Sequence, residues 1–317
     1  MGIQGLIQAL KPIQKRKHLR EYRGEKVAID AFCWLHKGAY SCALELAKGL
    51  PTKKYVDYCI KILRLIQNSG VIPLVVFDGG RLPMKKDTEE HRRRSRQQRL
   101  KEGDALWDKG NKEAAKKKYA EGISITRGMT FELIKVLRRK NIEFVVAPYE
   151  ADAQMAYLYK EKHVSLVITE DSDLLAFGCE RVLFKLDNEG YGYEIDMKDI
   201  GKLKEMNFSE FSKDMFLKMC ILNGCDYLPS IKGIGLKKAY TLVKQSSEIK
   251  EIIKQLKATG KYEIPETYEA DFTKAFLTFR FQTVYNIRDQ CLTNLNKIEG
   301  TCYVEMYKYE DKSFLGP

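Results

Sequence analysis

Short runs of aliphatic and β-branched residues alternate with longer segments of helical periodicity along the first two thirds of the chain. Runs of this length and composition are typical of buried strands. The predicted strands are 27–29, 72–77, 142–146, 166–169 and 182–186. Because strands that alternate with helices usually pair in parallel, the pattern predicts an α/β fold with a mainly parallel central sheet flanked by helices.

The strand pattern fades after residue 196, and the remaining sequence favours helices. Helical periodicity predicts the segments 209–222, 235–256 and 268–281. We therefore expect a helical C-terminal half that packs on the α/β core. The last residues, 301–317, have no clear periodicity.

The charge of the chain narrows the class of partner. The 317 residues carry 55 Lys and Arg against 43 Asp and Glu, a net charge of +12, which favours a polyanionic partner and leaves nucleic acid and an anionic membrane surface open. A hydrophobic share of 44% excludes disorder of the whole chain. No apolar run reaches the roughly 18 residues of a membrane-spanning helix, and the eight cysteines lack the spacing of a disulfide scaffold or zinc finger.

Residues 84–118 form a basic segment that differs from the rest of the chain. They contain 13 basic and 7 acidic side chains, so half of the net charge lies in a small part of the length. Helix formers dominate and large apolar residues are almost absent. We therefore expect a charged helical excursion that projects from the body without burying a face of its own, an ordinary solvated helix being the alternative.

Carboxylates follow the predicted strands at the points where the strands end. Asp30 ends the first strand, Asp78 follows the second, and Asp171 and Asp173 follow the fourth. The carboxyl ends of parallel strands meet at one edge of a sheet, where ligands bind in such folds. The sequence therefore predicts that these acids converge on one crevice.

Two further acids, Glu150 and Asp152, follow the third strand at the expected start of a helix. Any one of the six acids could cap a helix or a turn. Together, however, they would repel one another unless cations share the site. Oxygen ligands, with only 4 His in the chain, favour Mg²⁺ or Mn²⁺ over zinc. Beside a basic segment, such a cluster predicts metal-assisted phosphodiester hydrolysis.

The sequence contains the motifs MGIQGL (1–6), VVFDG (75–79), APYEADAQ (147–154), TEDSDLL (169–175), and GCDY (224–227) with GIG (233–235). In order and spacing, they resemble those of the flap endonuclease/XPG family of structure-specific 5′ nucleases. The resemblance covers residues 1 to about 290. Within the family, WLHKGA (34–39), the segment 43–51 and FGC (177–179) are most similar to the eukaryotic exonuclease-one branch.

The resemblance implies a set of site residues. Its seven metal-ligating acids match Asp30, Asp78, Glu150, Asp152, Asp171, Asp173 and Asp226. Residue patterns alone reach the first six, whereas Asp226, which alone would be interpreted as a simple cap, comes only from the family. The catalytic Lys and Arg at the base of a helical arch match Lys85 and Arg92, and Arg93 and Arg96 are implied as further phosphate contacts.

Other DNA contacts are implied outside the arch. A wedge over 32–51 would split or bend the duplex, with Phe32 stacking on a base and His36 against DNA, although the sequence alone favours a core histidine there. Gly2 is a further candidate. A helix-two-turn-helix over about 220–245 would bind duplex DNA through Gly233, Gly235, Lys237 and Lys238 and K⁺ through Ser230 and Ile234. A simple turn is the alternative for the GIG segment, and Asn223 stands where relatives often carry Ser.

The implied organisation is a single 5′ nuclease core over 1–290, similar to PIN domains. It comprises an N-terminal region of about 1–100, an arch of about 84–128 and an internal region of about 129–290. Residues 291–317 are expected to form a C-terminal extension of uncertain structure.

The implied activity is a 5′ to 3′ double-stranded DNA exonuclease that also cuts 5′ flaps, with two Mg²⁺ ions that Mn²⁺ can replace. The expected partner is duplex DNA with nicks, recessed 5′ ends or 5′ flaps. We expect a nuclear monomer, acting in repair and recombination, without membrane contact. Protein partners stay open, mismatch-repair factors contacted beyond residue 317 among them. The alternatives are a flap endonuclease proper and a catalytically silent DNA-junction scaffold.

Overall fold

The computed structural model describes residues 2–298 and 313–315. A seven-stranded sheet contains β1 (Lys15–His18), β2 (Lys26–Asp30), β3 (Ile72–Phe77), β4 (Phe144–Val146), β5 (Leu166–Thr169), β6 (Arg181–Phe184) and β7 (Tyr191–Asp196). The strand order is β1-β7-β6-β5-β2-β3-β4. A separate antiparallel hairpin pairs β8 (Thr283–Asn286) with β9 (Cys291–Asn294).

The helices cover both faces of the sheet. They are α1 (Leu6–Ala9), α2 (Ala31–Tyr40), α3 (Ala43–Ala47), α4 (Lys54–Asn68), α5 (Lys86–Asp108), α6 (Lys112–Gly122), α7 (Arg127–Arg139), α8 (Ala151–Lys160), α9 (Asp173–Ala176), α10 (Lys213–Asn223), α11 (Leu236–Gln245), α12 (Ile249–Ala258) and α13 (Tyr268–Phe281). One core joins the sheet to α8, α10 and α13, and a second core joins it to α2, α4 and α7. Within the described ranges, no helix has both the length and the apolar composition needed to cross a bilayer.

The prediction of a mainly parallel sheet is confirmed. Strands β2 to β6 pair in parallel, and β7 and β1 add an antiparallel edge. Strands β1 and β7 escaped the sequence analysis because β1 is the polar run Lys15–His18 and β7 alternates buried with exposed residues. The predicted strand 142–146 is too long, since β4 begins at Phe144.

The prediction of one helix over 235–256 is wrong. Two helices, α11 and α12, are separated at residues 246–248. Ser246 adopts an extended backbone and its hydroxyl accepts a hydrogen bond from the Glu248 N–H at 3.2 Å. Serine side chains compete in this way with helical hydrogen bonding, so the pair Ser246–Ser247 ends the helix.

The basic segment forms a helical hairpin of α5 and α6, and the expectation that it buries no face of its own is wrong. Tyr119 is 1% exposed, and its ring lies against Gly103 of α5 and next to Ala43 of α3. Lys48 joins this contact from the other side, 2.8 Å from Asp104 Oδ1 and 5.1 Å from the centre of the Tyr119 ring. Tyr119 is therefore the largest fully buried side chain of a small apolar cluster, with Ala115 and Trp107, in a segment that is otherwise charged.

The expected C-terminal extension is only partly described. Strand β9 pairs with β8, so the fold continues past residue 290. Phe314 and Leu315 pack against Leu277 and Phe281 of α13. Residues 299–312 and 316–317 lie outside the described residues, and the domain boundaries stay predictions.

Gly38 tests the contact between α2 and α4. A Cβ at Gly38 would lie 2.8 Å from both the Cα and the carbonyl oxygen of Tyr55, backbone atoms that cannot move aside. Although alanine gains about 1 kcal/mol of helix propensity over glycine, Gly38→Ala is expected to lower the free energy of unfolding by roughly 1–3 kcal/mol through overpacking. Urea unfolding measures this change.

Gly201→Ala is the matched control, because nothing lies within 4 Å of a Cβ at Gly201. We expect its free energy of unfolding to equal or exceed that of the wild type. Equal stability of the two variants would mean that the close approach of α2 to α4 is not a constraint.

Candidate active site

Six of the seven predicted acids line one cleft of about 950 Å³ at the carboxyl edge of the parallel strands. Its acidic lining consists of Asp30, Asp78, Glu150, Asp152, Asp171 and Asp226, together with acids of the arch base. Asp173 is not part of the lining and is 3% exposed. The strand ends therefore bring together side chains that lie far apart in the sequence.

Two of the acids also start helices. Asp30 Oδ1 accepts hydrogen bonds from the N–H groups of Phe32 at 2.8 Å and Cys33 at 3.3 Å and so caps α2. Asp78 Oδ1 accepts one from the Ala151 N–H at 2.7 Å, at the first turn of α8. The Glu150 side chain makes no capping hydrogen bond, so the alternative that Glu150 is a helix cap is wrong. Asp78, which follows β3, caps α8 instead. Capping occupies one oxygen of each aspartate.

The loop after β5 is ordered by its own acids. The Asp171 N–H donates to Thr169 Oγ1 at 3.1 Å, and Asp171 Oδ1 accepts from the Asp173 N–H at 3.0 Å. Asp173 Oδ1 is buried and has no hydrogen-bond partner among the described residues. A buried carboxylate oxygen without a donor is an unused acceptor for a cation.

Gly2 lies directly against this loop. Its φ is +85°, and a Cβ would come within 2.3 Å of Asp171 Oδ1 and 2.4 Å of Ser172 Oγ. Only glycine fits here without displacing an acid of the site.

Lys85, directly before α5, and Arg92, on α5, reach the acids from the base of the helical hairpin, which is the predicted arch. Lys85 Nζ contacts Glu150 Oε1 and lies 3.0 Å from Asp226 Oδ2, and Arg92 Nη2 lies 2.6 Å from Asp226 Oδ1. Thr88 of α5 also donates to the Asp226 carbonyl at 2.8 Å. The interpretation of Asp226 as a simple cap is therefore wrong, because it joins the loop after α10 to the arch.

The neighbouring opposite charges determine the direction in which the pKa values of Asp226 and Lys85 shift. Burial alone would raise the pKa of Asp226, but Lys85 and Arg92 outweigh it and lower that pKa below its ordinary value. Burial alone would lower the pKa of Lys85, but Glu150, Asp226 and Asp152 together raise it well above the ordinary value. The ammonium and the carboxylate both stay ionised.

Four other acids of the site have raised pKa values, in contrast to Asp226. Burial, followed by the charge of Asp30, raises the pKa of Asp78 to about 7. Burial, followed by neighbouring acids, also raises the pKa values of Asp152 and Asp173 well above the ordinary value, and burial raises that of Asp171. Such a set of oxygen donors fits a hard divalent cation, which would stabilise the ionised forms. Within residues 2–298 and 313–315, however, no three His, Cys, Asp or Glu side chains form a ready-made metal group.

Three further side chains hold the acids, and the sequence analysis did not assign them. Cys33 Sγ donates to Asp30 Oδ2 at 2.7 Å. Tyr227 Oη and Gln282 Nε2 both donate to Glu150 Oε2, the latter at 2.8 Å. Tyr227 stands beside Asp226 in the GCDY motif, so the sequence gives a hint that it belongs to the site. Gln282 follows α13 outside any motif, and nothing in the sequence indicates its role.

The structure brings four of the predicted DNA contacts to the cleft. Phe32 and His36 of α2 and Arg93 and Arg96 of α5 belong to its lining. His36 is exposed, so the sequence-based preference for a core histidine is wrong. Arg93 Nη2 lies 2.8 Å from Oε1 of Glu90, which also belongs to the lining.

The residues around the GIG segment lie outside the cleft lining. Gly233 has φ +87°, Gly235 precedes the first turn of α11, and Ile234 is buried between them. Lys237 pairs with Glu205 at 2.9 Å, Lys238 lies 4.4 Å from the centre of the Tyr262 ring, and Ser230 is exposed. Asn223 Nδ2 donates to the Gln4 carbonyl at 2.8 Å, so that amide ties α10 to the N-terminal segment.

An acid cleft at the carboxyl edge of a parallel sheet, beneath a basic helical hairpin, defines the class of the protein as a nuclease. The family model of the XPG N-terminal domain matches residues 1–99, and that of the XPG I-region matches residues 141–226. The DNA damage-inducible protein DIN7 of Saccharomyces cerevisiae is 37% identical over 94% of this chain and 70% of its own length. The chain belongs to the XPG family of structure-specific 5′ nucleases.

Particular relatives match the whole chain. Exonuclease 1 of Arabidopsis thaliana is 45% identical over 100% of this chain, which spans 42% of that protein. Exonuclease 1 of Xenopus laevis is 43% identical over 100% of this chain, which spans 43% of that protein. The chain thus covers less than half the length of these curated relatives.

Solved structures share the fold. The catalytic core of Rad2 in complex with a DNA substrate matches with a TM-score of 0.62 and 19% identity over 88% of this chain and 86% of its own. Flap endonuclease-1 from Methanococcus jannaschii matches with a TM-score of 0.56 and 25% identity over 86% and 84%. GEN1 in complex with product DNA and a Mg²⁺ ion matches with a TM-score of 0.57 and 18% identity over 88% and 64%.

Asp78 gives the site a testable pH dependence. Its pKa is about 7 in the folded protein against an ordinary 3.8, so between these values the folded protein holds a proton that the unfolded chain has released. Stability is therefore lost as the pH rises towards 7. In EDTA, Asp78→Asn keeps an acceptor for the Ala151 N–H and removes this loss, so its Tm relative to wild type is expected to rise between about pH 4 and about pH 7.

Asp108→Asn, which removes one exposed charge from the end of α5, is the control and should leave a constant Tm difference. Thermal unfolding at several pH values measures both variants. A Tm difference for Asp78→Asn that does not change with pH would contradict the raised pKa.

Proposed function

We propose that this chain is the nuclease core of a Mg²⁺-dependent 5′ to 3′ exonuclease for double-stranded DNA that also cuts 5′ flaps. The observation that carries the proposal is the contact of Lys85 and Arg92 with Glu150 and Asp226 in the acid cleft. Positive charge aimed into a cluster of carboxylates suits a phosphodiester held between metal-bound acids and basic side chains. Relatives named Exonuclease 1, similar over the whole chain, support the choice of activity.

The seven acids are the proposed ligands of the metal. Their oxygen donors suit two Mg²⁺ ions, and Mn²⁺ is expected to replace them. Bound there, divalent ions would supply activated water and stabilise the leaving oxygen. Asp30 and Asp78 each use only one carboxylate oxygen to cap a helix, so both can bind a cation without changing how α2 or α8 begins.

Lys85 and Arg92 are the proposed catalytic cations. Each contacts a carboxylate, and the side chain of Lys85 is only 14% exposed. A scissile phosphate that enters the cleft offers the same negative charge as these carboxylates. Both side chains can then stabilise the charge that develops on the phosphate, while the acids turn to the metal.

The remaining DNA contacts are proposed to hold the duplex without reading bases. Phe32, His36, Arg93 and Arg96 face the cleft, and Gly2 supports its floor. Gly233, Gly235, Lys237 and Lys238 form a second proposed phosphate site, where Ser230 and Ile234 would bind K⁺. Since these groups address phosphate and sugar, specificity should follow DNA structure.

We also propose a nuclear monomer that acts in DNA repair and recombination on nicks, recessed 5′ ends and 5′ flaps. The names of the relatives support this setting. Mismatch-repair factors are proposed as partners that bind outside this core.

A labelled duplex with a nick, a recessed 5′ end or a 5′ flap tests the activity in Mg²⁺. We expect stepwise release of mononucleotides from the nick and the recessed end, and incision at the flap base. Asp171→Ala should lower cleavage by at least about 100-fold, since even outer-shell partners of a metal site cost 10–100-fold. Binding of the duplex, measured by fluorescence anisotropy in Ca²⁺, should be retained.

Asp57→Ala, an exposed acid of α4 outside the cleft lining, is the control and should cleave like wild type. A single incision at the flap with no digestion from the nick would favour a flap endonuclease proper. Wild-type cleavage no faster than that of Asp171→Ala would favour the silent scaffold.

Lys85→Met tests the role of the arch base. Loss of the ammonium is expected to lower the single-turnover cleavage rate by about 100-fold, the scale of losing one group that stabilises transition-state charge. Lys109→Met removes a charge from the end of the arch and should change the rate by less than about threefold. Equal rates for the two variants would exclude a catalytic role for Lys85.

A further inference from the structure

The carboxylate of Glu150 is held asymmetrically. Two uncharged donors, Tyr227 Oη and Gln282 Nε2, hydrogen-bond to the same oxygen, Oε2. The other oxygen, Oε1, faces Lys85 at the cleft. Because Oε2 is occupied by fixed donors, the carboxylate cannot rotate without breaking two hydrogen bonds to a charged group.

Gln282 is the less expected of the two donors. It follows the last residue of α13, is 0% exposed, and lies outside both segments that match the family models. Its Nε2 lies 2.8 Å from Glu150 Oε2 and 3.3 Å from Tyr227 Oη. Its own Oε1 is buried without a hydrogen-bond partner among the described residues. The amide is thus oriented towards the carboxylate although its carbonyl oxygen gains nothing.

The backbone around Gln282 is anchored on both sides. Its N–H donates to the Thr278 carbonyl at 3.3 Å, and its carbonyl accepts from the Leu295 N–H at 3.0 Å. The Tyr227 ring packs edge-on against Phe279 of the same helix, with ring centres 4.8 Å apart. Both donors are therefore fixed relative to one another by α13 and the hairpin that follows it.

An uncharged polar residue in this apolar surrounding has no packing advantage over methionine, which has a similar length and shape. What it adds is a donor aimed at a carboxylate. Outer-shell donors of this kind orient the ligands of metal sites.

We propose that Gln282, together with Tyr227, is a positioning residue that holds Glu150 with Oε1 turned into the cleft. The proposal rests on the proposed function, since it assigns Glu150 to the metal-binding set. It makes α13 and the β8–β9 hairpin part of the active-site framework, although no residue of either lines the cleft.

Gln282→Met tests the proposal in the intact chain. We expect the affinity for Mn²⁺ of the DNA-free protein, measured by calorimetric titration, to fall about tenfold, and kcat for the nicked duplex in Mg²⁺ to fall about 10–100-fold. KM and the Kd for the duplex in Ca²⁺ should change by less than about twofold, because Gln282 does not contact the cleft. Tyr227→Phe should produce the same pattern.

Gln14→Met is the matched control. Gln14 lies before β1, outside the cleft lining, and its Nε2 donates to the backbone carbonyl of Ile7 at 2.9 Å. This variant should lower the Tm and leave Mn²⁺ affinity and kcat unchanged. Mn²⁺ affinity and kcat of Gln282→Met within about twofold of wild type would overturn the proposal. Failure of the wild type to cleave would instead refute the proposed function.

Discussion

Repulsion among carboxylates buried at one edge of the sheet is the constraint on which the rest of the structure depends. Burial is the largest cause of the raised pKa values of Asp78 and Asp152; the charge of Asp30 raises the first further, and the charges of Asp171 and Asp30 raise the second further. Acids so close together in a low-dielectric site need positive charge to stay ionised. Lys85 and Arg92, at the base of the basic helical hairpin, supply part of it, because both contact the carboxylate of Asp226.

The acids are also structural elements of the fold. Asp30 is the last residue of β2 and Asp78 follows β3, and each caps a helix, so the geometry that starts α2 and α8 also positions two carboxylates. A site built in this way needs few extra residues to hold it in place. The outer donors Cys33, Tyr227 and Gln282 complete the arrangement from behind.

The parallel centre of the sheet was predictable because its strands are buried on both faces and contain continuous aliphatic runs. The acids at their ends followed from the same pattern, since parallel strands bring their carboxyl ends together. The position of Asp226 could not be predicted in this way, because its loop follows a helix, α10, and not a strand of the sheet. Only the packing of α10 against the sheet brings it to the cleft. The break between α11 and α12 depends on a local serine bond, which periodicity over a longer window does not detect. The anchoring of the hairpin by Tyr119 was missed because one buried ring does not change a charged composition.

The charged edge strand β1 has a consequence for the behaviour of the protein in solution. An exposed strand edge presents unpaired backbone groups that can add a strand from another copy of the chain. Here the outer strand is Lys15-Arg16-Lys17-His18, and at the opposite edge β4 is only three residues long. Like charges would be brought face to face if two such edges met. The polarity that conceals β1 in the sequence therefore protects the sheet against edge-to-edge aggregation.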